Sequence, residues 1–328
     1  MALTSNVNTV KYHEPVLLES SIEGLKLRRW GRYVDGTLGG GGHTCAILNK
    51  LSEIGEGTLF SIDRDKEAIE EARRVIGQVG QGVTFKIFEG NFSSMKSLLS
   101  DELSGGGVDG VLLDLGVSSH QLDCAQRGFS FRYDAPLDMR MAPAMDTLSA
   151  SDIVNTYSCS ALKDIIKNYG EERFASGIAK AICKCRDVAP LQTTKQLAEL
   201  ICSVVPHSSN SNNKQIHPAT RTFQALRIAV NDELESLKRG LEEAIELLSP
   251  GGRLVVISYH SLEDRIVKQA IRSRLGRCTC PHDVPVCVCS PRAVLREITH
   301  HPVVADKDEL VRNPRARSAK LRVAEKIG

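Results

Sequence analysis

The sequence predicts an α/β fold: a mainly parallel sheet with helices on both faces, interrupted by an inserted helical subdomain. Three observations predict it. Apolar strand-like runs alternate with amphipathic helix-like runs from Val34 to Leu115, the pattern of a parallel sheet built from crossover units. A glycine-dense turn joins the first of those strands to the first helix. The strand pattern then stops between Ser118 and about Gln215 and resumes at Arg253.

Taken in order, the first strand ends at Asp35 and turns through five glycines in the seven residues from Gly36 to Gly42, before a helix from Thr44 to Leu51. Glycines are used this way where backbone must press close to a ligand or adopt positive φ. Strand, glycine turn and helix N-terminus form the entrance of a nucleotide pocket in doubly wound folds. The competing reading is a tight structural turn. A dinucleotide fingerprint needs a third glycine, but in the registers starting at Gly39 and Gly40 that position holds Thr44 or Cys45. An acidic strand end followed by glycines suits S-adenosylmethionine better, because that cofactor has an amino group and a sulfonium and no pyrophosphate.

The second strand, Gly57 to Asp63, is followed by a helix from Glu67 to Ile76; the third strand is Val83 to Phe88 and the fourth Val108 to Leu115. The fourth is nearly all apolar, as a strand buried on both faces should be. Asp35, Asp63, Phe92 and Asp114 fall at or just past strand ends, so they converge on one crevice. Asp63, about twenty residues past the glycine loop, is placed for ribose hydroxyls. For any one aspartate alone, a capping or turn role is the simpler reading.

Helical spacing then covers Ala161 to Tyr169, Glu171 to Arg186 and Thr194 to Val205, with Ser149 and Ser160 as N-caps. The polar run Ser208 to Lys214 marks the exit of the insert. Expected boundaries are 1–133 with 216–328 for the sheet domain and 134–215 for the insert. Apolar residues from Phe223 to Leu248 recur at three- and four-residue steps and predict one long helix, stopped by Pro250-Gly251-Gly252. A fifth strand (Arg253 to Ser258) and a helix (Ser261 to Leu275) follow. Val294 to Ile298 and Lys320 to Glu325 are expected to close the sheet, one of them antiparallel.

Two segments carry candidate chemistry. Asp114, Ser118, Ser119, Gln121 and Asp123 lie just past the fourth strand, where a substrate would meet a cofactor. The chain continues into Arg127, Phe129, Phe131 and Arg132, arginines alternating with aromatics, a pattern for phosphate contact and base stacking. The alternative is a loop whose aromatics anchor the insert. At the end of the fifth strand, His260 is either a proton relay or the cap of the next helix.

Composition bounds the partners. A formal net charge of +2 gives no global bias toward polyanions. Two local clusters do: Arg265, Lys268, Arg272, Arg274 and Arg277, then Arg312, Arg315, Arg317, Lys320 and Arg322. No run approaches the roughly 18 apolar residues of a membrane span, and Met1 to Lys11 has neither signal- nor transit-peptide character. The chain reads as soluble and cytoplasmic, with chloroplast or mitochondrion as the alternative for a nuclear-encoded protein. Six scattered cysteines among ten suit a reducing compartment. The other four, Cys278, Cys280, Cys287 and Cys289, form two C-x-C pairs able to hold Zn²⁺ through thiolates, or else a loop of reduced thiols; the spacing is tighter than usual for zinc.

Taken together these residues resemble the RsmH/MraW family, S-adenosylmethionine-dependent 16S ribosomal RNA (cytosine-N4)-methyltransferases. The resemblance runs from His13-Glu-Pro-Val-Leu-Leu through the Asp35–His43 loop, Asp114–Asp123, Arg127-Gly-Phe-Ser-Phe, Pro136-Leu-Asp-Met-Arg-Met and Tyr169-Gly-Glu-Glu-Arg-Phe-Ala. It continues through His217-Pro-Ala-Thr-Arg-Thr-Phe-Gln-Ala, Pro250-Gly-Gly-Arg-Leu, His260-Ser-Leu-Glu-Asp-Arg-Ile-Val-Lys and Asn313-Pro-Arg-Ala-Arg-Ser. It implies a Rossmann-like class I methyltransferase sheet with a helical insert and S-adenosyl-L-methionine as cofactor. It implies cofactor contacts at Gly41, Gly42, His43, Asp63, Phe92, Asp114 and Gln121. The implied partner is 16S-type ribosomal RNA or the small ribosomal subunit, with no membrane and with a homodimer left open. Asp114 is the expected amine acceptor, with Ser118, Ser119 and His260 secondary. Two departures stand out: His120 where proline is usual, and Tyr259 where phenylalanine is usual.

Overall fold

The computed structural model describes residues 15–77, 82–143, 148–206, 217–276 and 292–328. After the helix α1 (Leu18–Leu25) come β1 (Gly31–Asp35), α2 (Gly42–Ile54), β2 (Gly57–Asp63), α3 (Lys66–Ile76) and β3 (Thr84–Glu89). Two short helices, α4 (Met95–Leu98) and α5 (Ser100–Leu103), lead to β4 (Val108–Asp114). The all-helical stretch comprises α6 (Ser119–Asp123), α7 (Ala150–Thr156), α8 (Cys159–Gly170), α9 (Ala175–Arg186), α10 (Thr194–Val204) and α11 (Thr220–Asn231). Then follow α12 (Glu233–Leu247), β5 (Leu248–Ser258), α13 (Ser261–Arg272), β6 (Leu295–Glu297), α14 (Lys307–Arg312) and β7 (Lys320–Lys326).

The seven strands are ordered β3-β2-β1-β4-β5-β7-β6. β1 to β5 run parallel, and β7 is antiparallel to both β5 and β6, as the closing segments predicted. Strand order reverses between β1 and β4, so the crevice past their carboxyl ends is where such sheets bind ligands. Asp35 and Asp114 end those two strands.

Alternation along the strands splits the core between two faces. Val34, Phe60, Ile62, Val111, Leu113, Leu254 and Val256 pack with α4, α5, α12 and α13. Tyr33, Leu59, Leu112, Val255 and Ile257 pack with α1, α2 and α3 on the other face. The loop from Phe129 to Met141 forms a third apolar cluster with α7 to α11.

Three expectations are corrected. The predicted long helix is two. Asp232 breaks it with φ 49° and ψ 40°, because Phe223, Leu226 and Val230 of α11 pack into the helical cluster while Leu237, Leu241 and Ile245 of α12 pack on the sheet. Both halves keep the same period, so the hydrophobic pattern gave no sign of the break. Asn231 holds the junction: its Oδ1 accepts from the Met141 N–H at 2.8 Å, and its Nδ2 donates to the Met139 carbonyl at 2.8 Å. The cap of α8 is Ser158, not Ser160. β5 begins at Leu248, and a register shift against β4 absorbs Pro250-Gly251-Gly252. Among the described residues, no helix is long and apolar enough to cross a membrane.

Candidate active site

The glycine loop is fixed from beneath by carboxylates. Asp35 is fully buried, accepting from Thr44 Oγ1 at 2.6 Å and from the Thr37 N–H at 3.1 Å; burial pushes its carboxyl up. Asp63 accepts from the Gly39 N–H at 2.7 Å and the Asp65 N–H at 2.9 Å, and burial lifts it to about 6. Gly41 caps α2 with φ 82°, a conformation that favours glycine. A Cβ on Gly42 would overlap Pro15, whereas one on Gly40 would meet nothing within 4 Å.

Across the crevice stands Asp114. Its N–H donates to Thr37 Oγ1 at 2.7 Å, tying β4 to the glycine loop. Its Oδ1 accepts from the Tyr259 hydroxyl at 2.7 Å, and its Oδ2 lies 3.6 Å from His43 Nδ1. His43 is oriented from its other side, where Nε2 meets the Val16 carbonyl at 3.1 Å. Burial lifts Asp114 to about 6, against the lowering effects of His43 and Tyr259.

Ser118 caps α6: its hydroxyl accepts from the Gln121 N–H at 3.2 Å while Gln121 Oε1 accepts from the Ser118 N–H at 3.0 Å. Ser119 opens that helix. Gln121 Nε2 donates to Asp65 Oδ2 at 2.8 Å, and Arg127 Nη2 reaches the same oxygen at 3.0 Å. Asp65 also caps α3 by accepting from the Glu67 N–H.

One cavity of about 710 Å³ is lined by Gly42, His43, Asp63, Phe92, Asp114 and Gln121, while Asp35, Asp65 and Arg127 are buried outside its walls. That volume is ordinary for a cofactor-sized ligand. Phe92 is wedged against Gly240 of α12, where a Cβ would overlap its ring. S-adenosylmethionine fits the donor set: the Asp63 carboxylate in the cavity wall can accept from the ligand or neutralise its charge, and a side chain on Gly40 would meet nothing within 4 Å, so the loop leaves space there. Deeper in, Glu233, His260 and Glu263 bring ligand atoms within 4.8 Å of one another. Arg227 already supplies the cation, with Nε and Nη2 each 2.9 Å from Glu233, so the cluster is an ion-pair network.

The cofactor residues expected from sequence therefore come together, but several expected roles move. His260 is the cap of α13: Nδ1 accepts from the Glu263 N–H at 3.4 Å, its Nε2 lies 3.2 Å from Glu263 Oε1, and it does not line the cavity. Arg127 and Phe129 are buried rather than presented to a polyanion. Arg127 donates to Asp65, Glu67 and the carbonyls of Arg140 and Met141. Phe131 stacks on His217, with centroids 4.5 Å apart, and meets Phe223 edge-on. The anchoring alternative is what this loop does, because its aromatics are needed by the third apolar cluster. Arg132 and Arg317 are exposed. Arg265 pairs with Glu171 at 3.1 Å and Arg315 with Asp123 at 2.9 Å. Cys278, Cys280, Cys287 and Cys289 lie outside the described residues. Sequence reasoning missed Asp65 as the hub under Gln121 and Arg127, and Arg227 with Glu233 in the cavity wall. The Asp63-Arg64-Asp65 run was the available signal for the first.

Comparison with known proteins follows the same line. The profile of the MraW methylase family matches residues 10–327. The ribosomal RNA small subunit methyltransferase H of Geobacter sulfurreducens is 53% identical over 315 residues, 96% of this chain and 99% of that protein. The protein of the same name from Heliobacterium modesticaldum is 48% identical over 318 residues, 97% and 99% of the two chains. Among solved structures, an rRNA methylase from Streptococcus thermophilus aligns with TM-score 0.41 and 9% identity, covering 94% of this chain and 95% of that one.

Proposed function

This chain belongs to the MraW methylase family and is an S-adenosylmethionine-dependent methyltransferase, and we propose that its acceptor is the exocyclic N4 amine of a cytidine in small-subunit ribosomal RNA. The relatives are named for methylating RNA of that subunit. Asp114 is the observation that carries the choice of an amine. The cytosine amine is a poor nucleophile because its lone pair is delocalised into the ring. A carboxylate that accepts its N–H favours the pyramidal, nucleophilic form and aligns it. Positioning of this kind lowers a barrier by several kcal/mol.

Bound in the crevice, S-adenosylmethionine supplies an electrophilic methyl group on its sulfonium. Asp63 and Phe92, with the Gly41–Gly42 backbone, are the residues we assign to holding it. His43 and Gln121 act beside them, through Asp114 and Asp65 respectively. Asp114 keeps lone pairs for the amine after accepting from Tyr259. The Ser118 hydroxyl can still donate, although its acceptor side is spent on the cap.

We assign the RNA to the face carrying Arg132 and Arg317, with Arg265 and Arg315 able to exchange carboxylate partners for phosphate. The target base has to leave its stack to reach Asp114. The helical subdomain of 134–215, joined by α11 through shared packing, would form one side of that path. A ribosomal substrate in a bacterial cell makes the compartment the cytoplasm. Incubation with tritiated S-adenosylmethionine and small subunits from cells lacking the activity, followed by nucleoside analysis, tests the assignment. Labelled N4-methylcytidine is the expected product; label in another nucleoside would replace it.

A further inference from the structure

We infer that Tyr259 is a positioning residue for the transfer step, holding the Asp114 carboxylate in one orientation and ionised as an acceptor. The inference rests on the reading that Asp114 accepts from the acceptor amine.

The geometry is specific. Tyr259 follows β5 directly, and its hydroxyl donates to Asp114 Oδ1 at 2.7 Å, across 145 residues of sequence. Its backbone is held independently, because the Tyr259 N–H donates to Glu263 Oε2 at 2.8 Å. The ring packs with the β1–α2 side of the core. Both ends of the tyrosine are therefore fixed, and the phenol is delivered to one carboxylate oxygen. Asp114 is fixed in turn at its backbone by Thr37. With Oδ1 engaged, the carboxylate plane is set relative to the cavity wall that Asp114 forms.

Electrostatics gives that hydrogen bond a second consequence. Burial favours the neutral acid, and two carboxylates add to this, Asp35 at the end of β1 and Glu263 on α13. Opposing them are His43 on α2 and the Tyr259 hydroxyl. A hydrogen bond to the charged form favours ionisation. Tyr259 itself stays a donor across the working range, since burial and the adjacent Asp114 push its phenol well above 10. Without the hydroxyl, Asp114 becomes protonated closer to neutrality and presents an O–H where the amine needs an acceptor.

The test is Tyr259→Phe, which removes one oxygen and keeps the ring. Single-turnover transfer to small ribosomal subunits is followed from pH 5 to 9, with cofactor affinity measured alongside as the check on folding. The acid limb of the rate profile is expected to move up by about one unit. At the pH of the parent's own midpoint the rate then falls about fivefold, and it returns close to the parent value at pH 8.5, with cofactor affinity unchanged. Replacing all tyrosines by 3-fluorotyrosine, a stronger donor, needs no altered fold and is expected to move the midpoint down. A midpoint unmoved in both experiments, with Asp114→Asn inactive, reduces Tyr259 to packing and overturns the inference alone. Retained turnover in Asp114→Asn instead overturns the reading of Asp114 beneath it.

Discussion

Arg127 Nη2 lies 3.0 Å from Asp65 Oδ2, and both side chains are almost entirely removed from solvent. This contact ties the loop entering the helical cluster to the residue that caps α3 beside the cofactor crevice. A buried pair of this kind is costly to break, because the surviving charge has no water to return to. Arg127→Ala is expected to destabilise the fold by about 3–5 kcal/mol, measured by urea denaturation. A loss under about 1 kcal/mol, the range of exposed pairs, would mean the contact is dispensable.

The glycine loop separates folding from ligand contact. Gly40→Ala meets no protein atom within 4 Å, so its unfolding midpoint is expected to stay at the parent value. Any loss of S-adenosylmethionine affinity in that variant therefore reports the ligand itself. Gly42→Ala collides with Pro15 and is expected to lower both stability and affinity. Calorimetric titration beside thermal unfolding reads the two effects apart.

The raised carboxylates set a pH dependence with a definite sign. Asp63 and Asp114 titrate near 6 in the fold, above the usual 3.9 or so of an unfolded aspartate. Their contribution to stability is therefore present below the unfolded value and is lost as pH rises through 6. Asp138, Glu263 and Asp264 are held low, so their contribution changes only below the normal carboxylate range. Between pH 7 and 5 the raised carboxylates, Asp35 among them, govern, and the unliganded protein is expected to gain stability on acidification. Affinity for the cationic cofactor should go the other way. If Asp63 must be ionised to bind it, Kd rises about tenfold by one unit below the midpoint. A flat Kd between pH 7 and 5 would remove Asp63 from the binding set.

How far the sequence could be read follows from what each signal encodes. β2 matched from Gly57 to Asp63 because a short apolar run and a terminal aspartate are local features. Asp63, Phe92 and Asp114 were legible as one crevice because sheet topology, once parallel, places strand ends together; Asp35, expected there too, is buried under the glycine loop on Thr37 and Thr44. The break at Asp232 was not legible, since two cores can share one helical period. Nor was the inward turn of Arg127 and Phe129: alternating arginine and aromatic residues look alike whether they face RNA or anchor a loop. The capping role of His260 was one of the two readings open at that position, because a cap is a local contact with Glu263 three residues on, whereas the reach of Tyr259 to Asp114 depends on tertiary contact, which no spacing encodes.

Surface cations offer a contrast to Arg127. Arg317→Ala removes an exposed charge and is expected to weaken binding of ribosomal RNA fragments with little change in unfolding. The slope of log K against log salt should shrink by about one. An unchanged slope would place the RNA on another face.

The role of Asp114 is tested most directly by single-turnover methyl transfer in Asp114→Asn, with S-adenosylmethionine affinity measured on the same preparation. Asparagine keeps the size and one acceptor but loses the charge. The expected result is a rate at least about a hundredfold lower with cofactor binding within a few-fold of the parent. Near-parent turnover would contradict Asp114 as the acceptor that activates the amine.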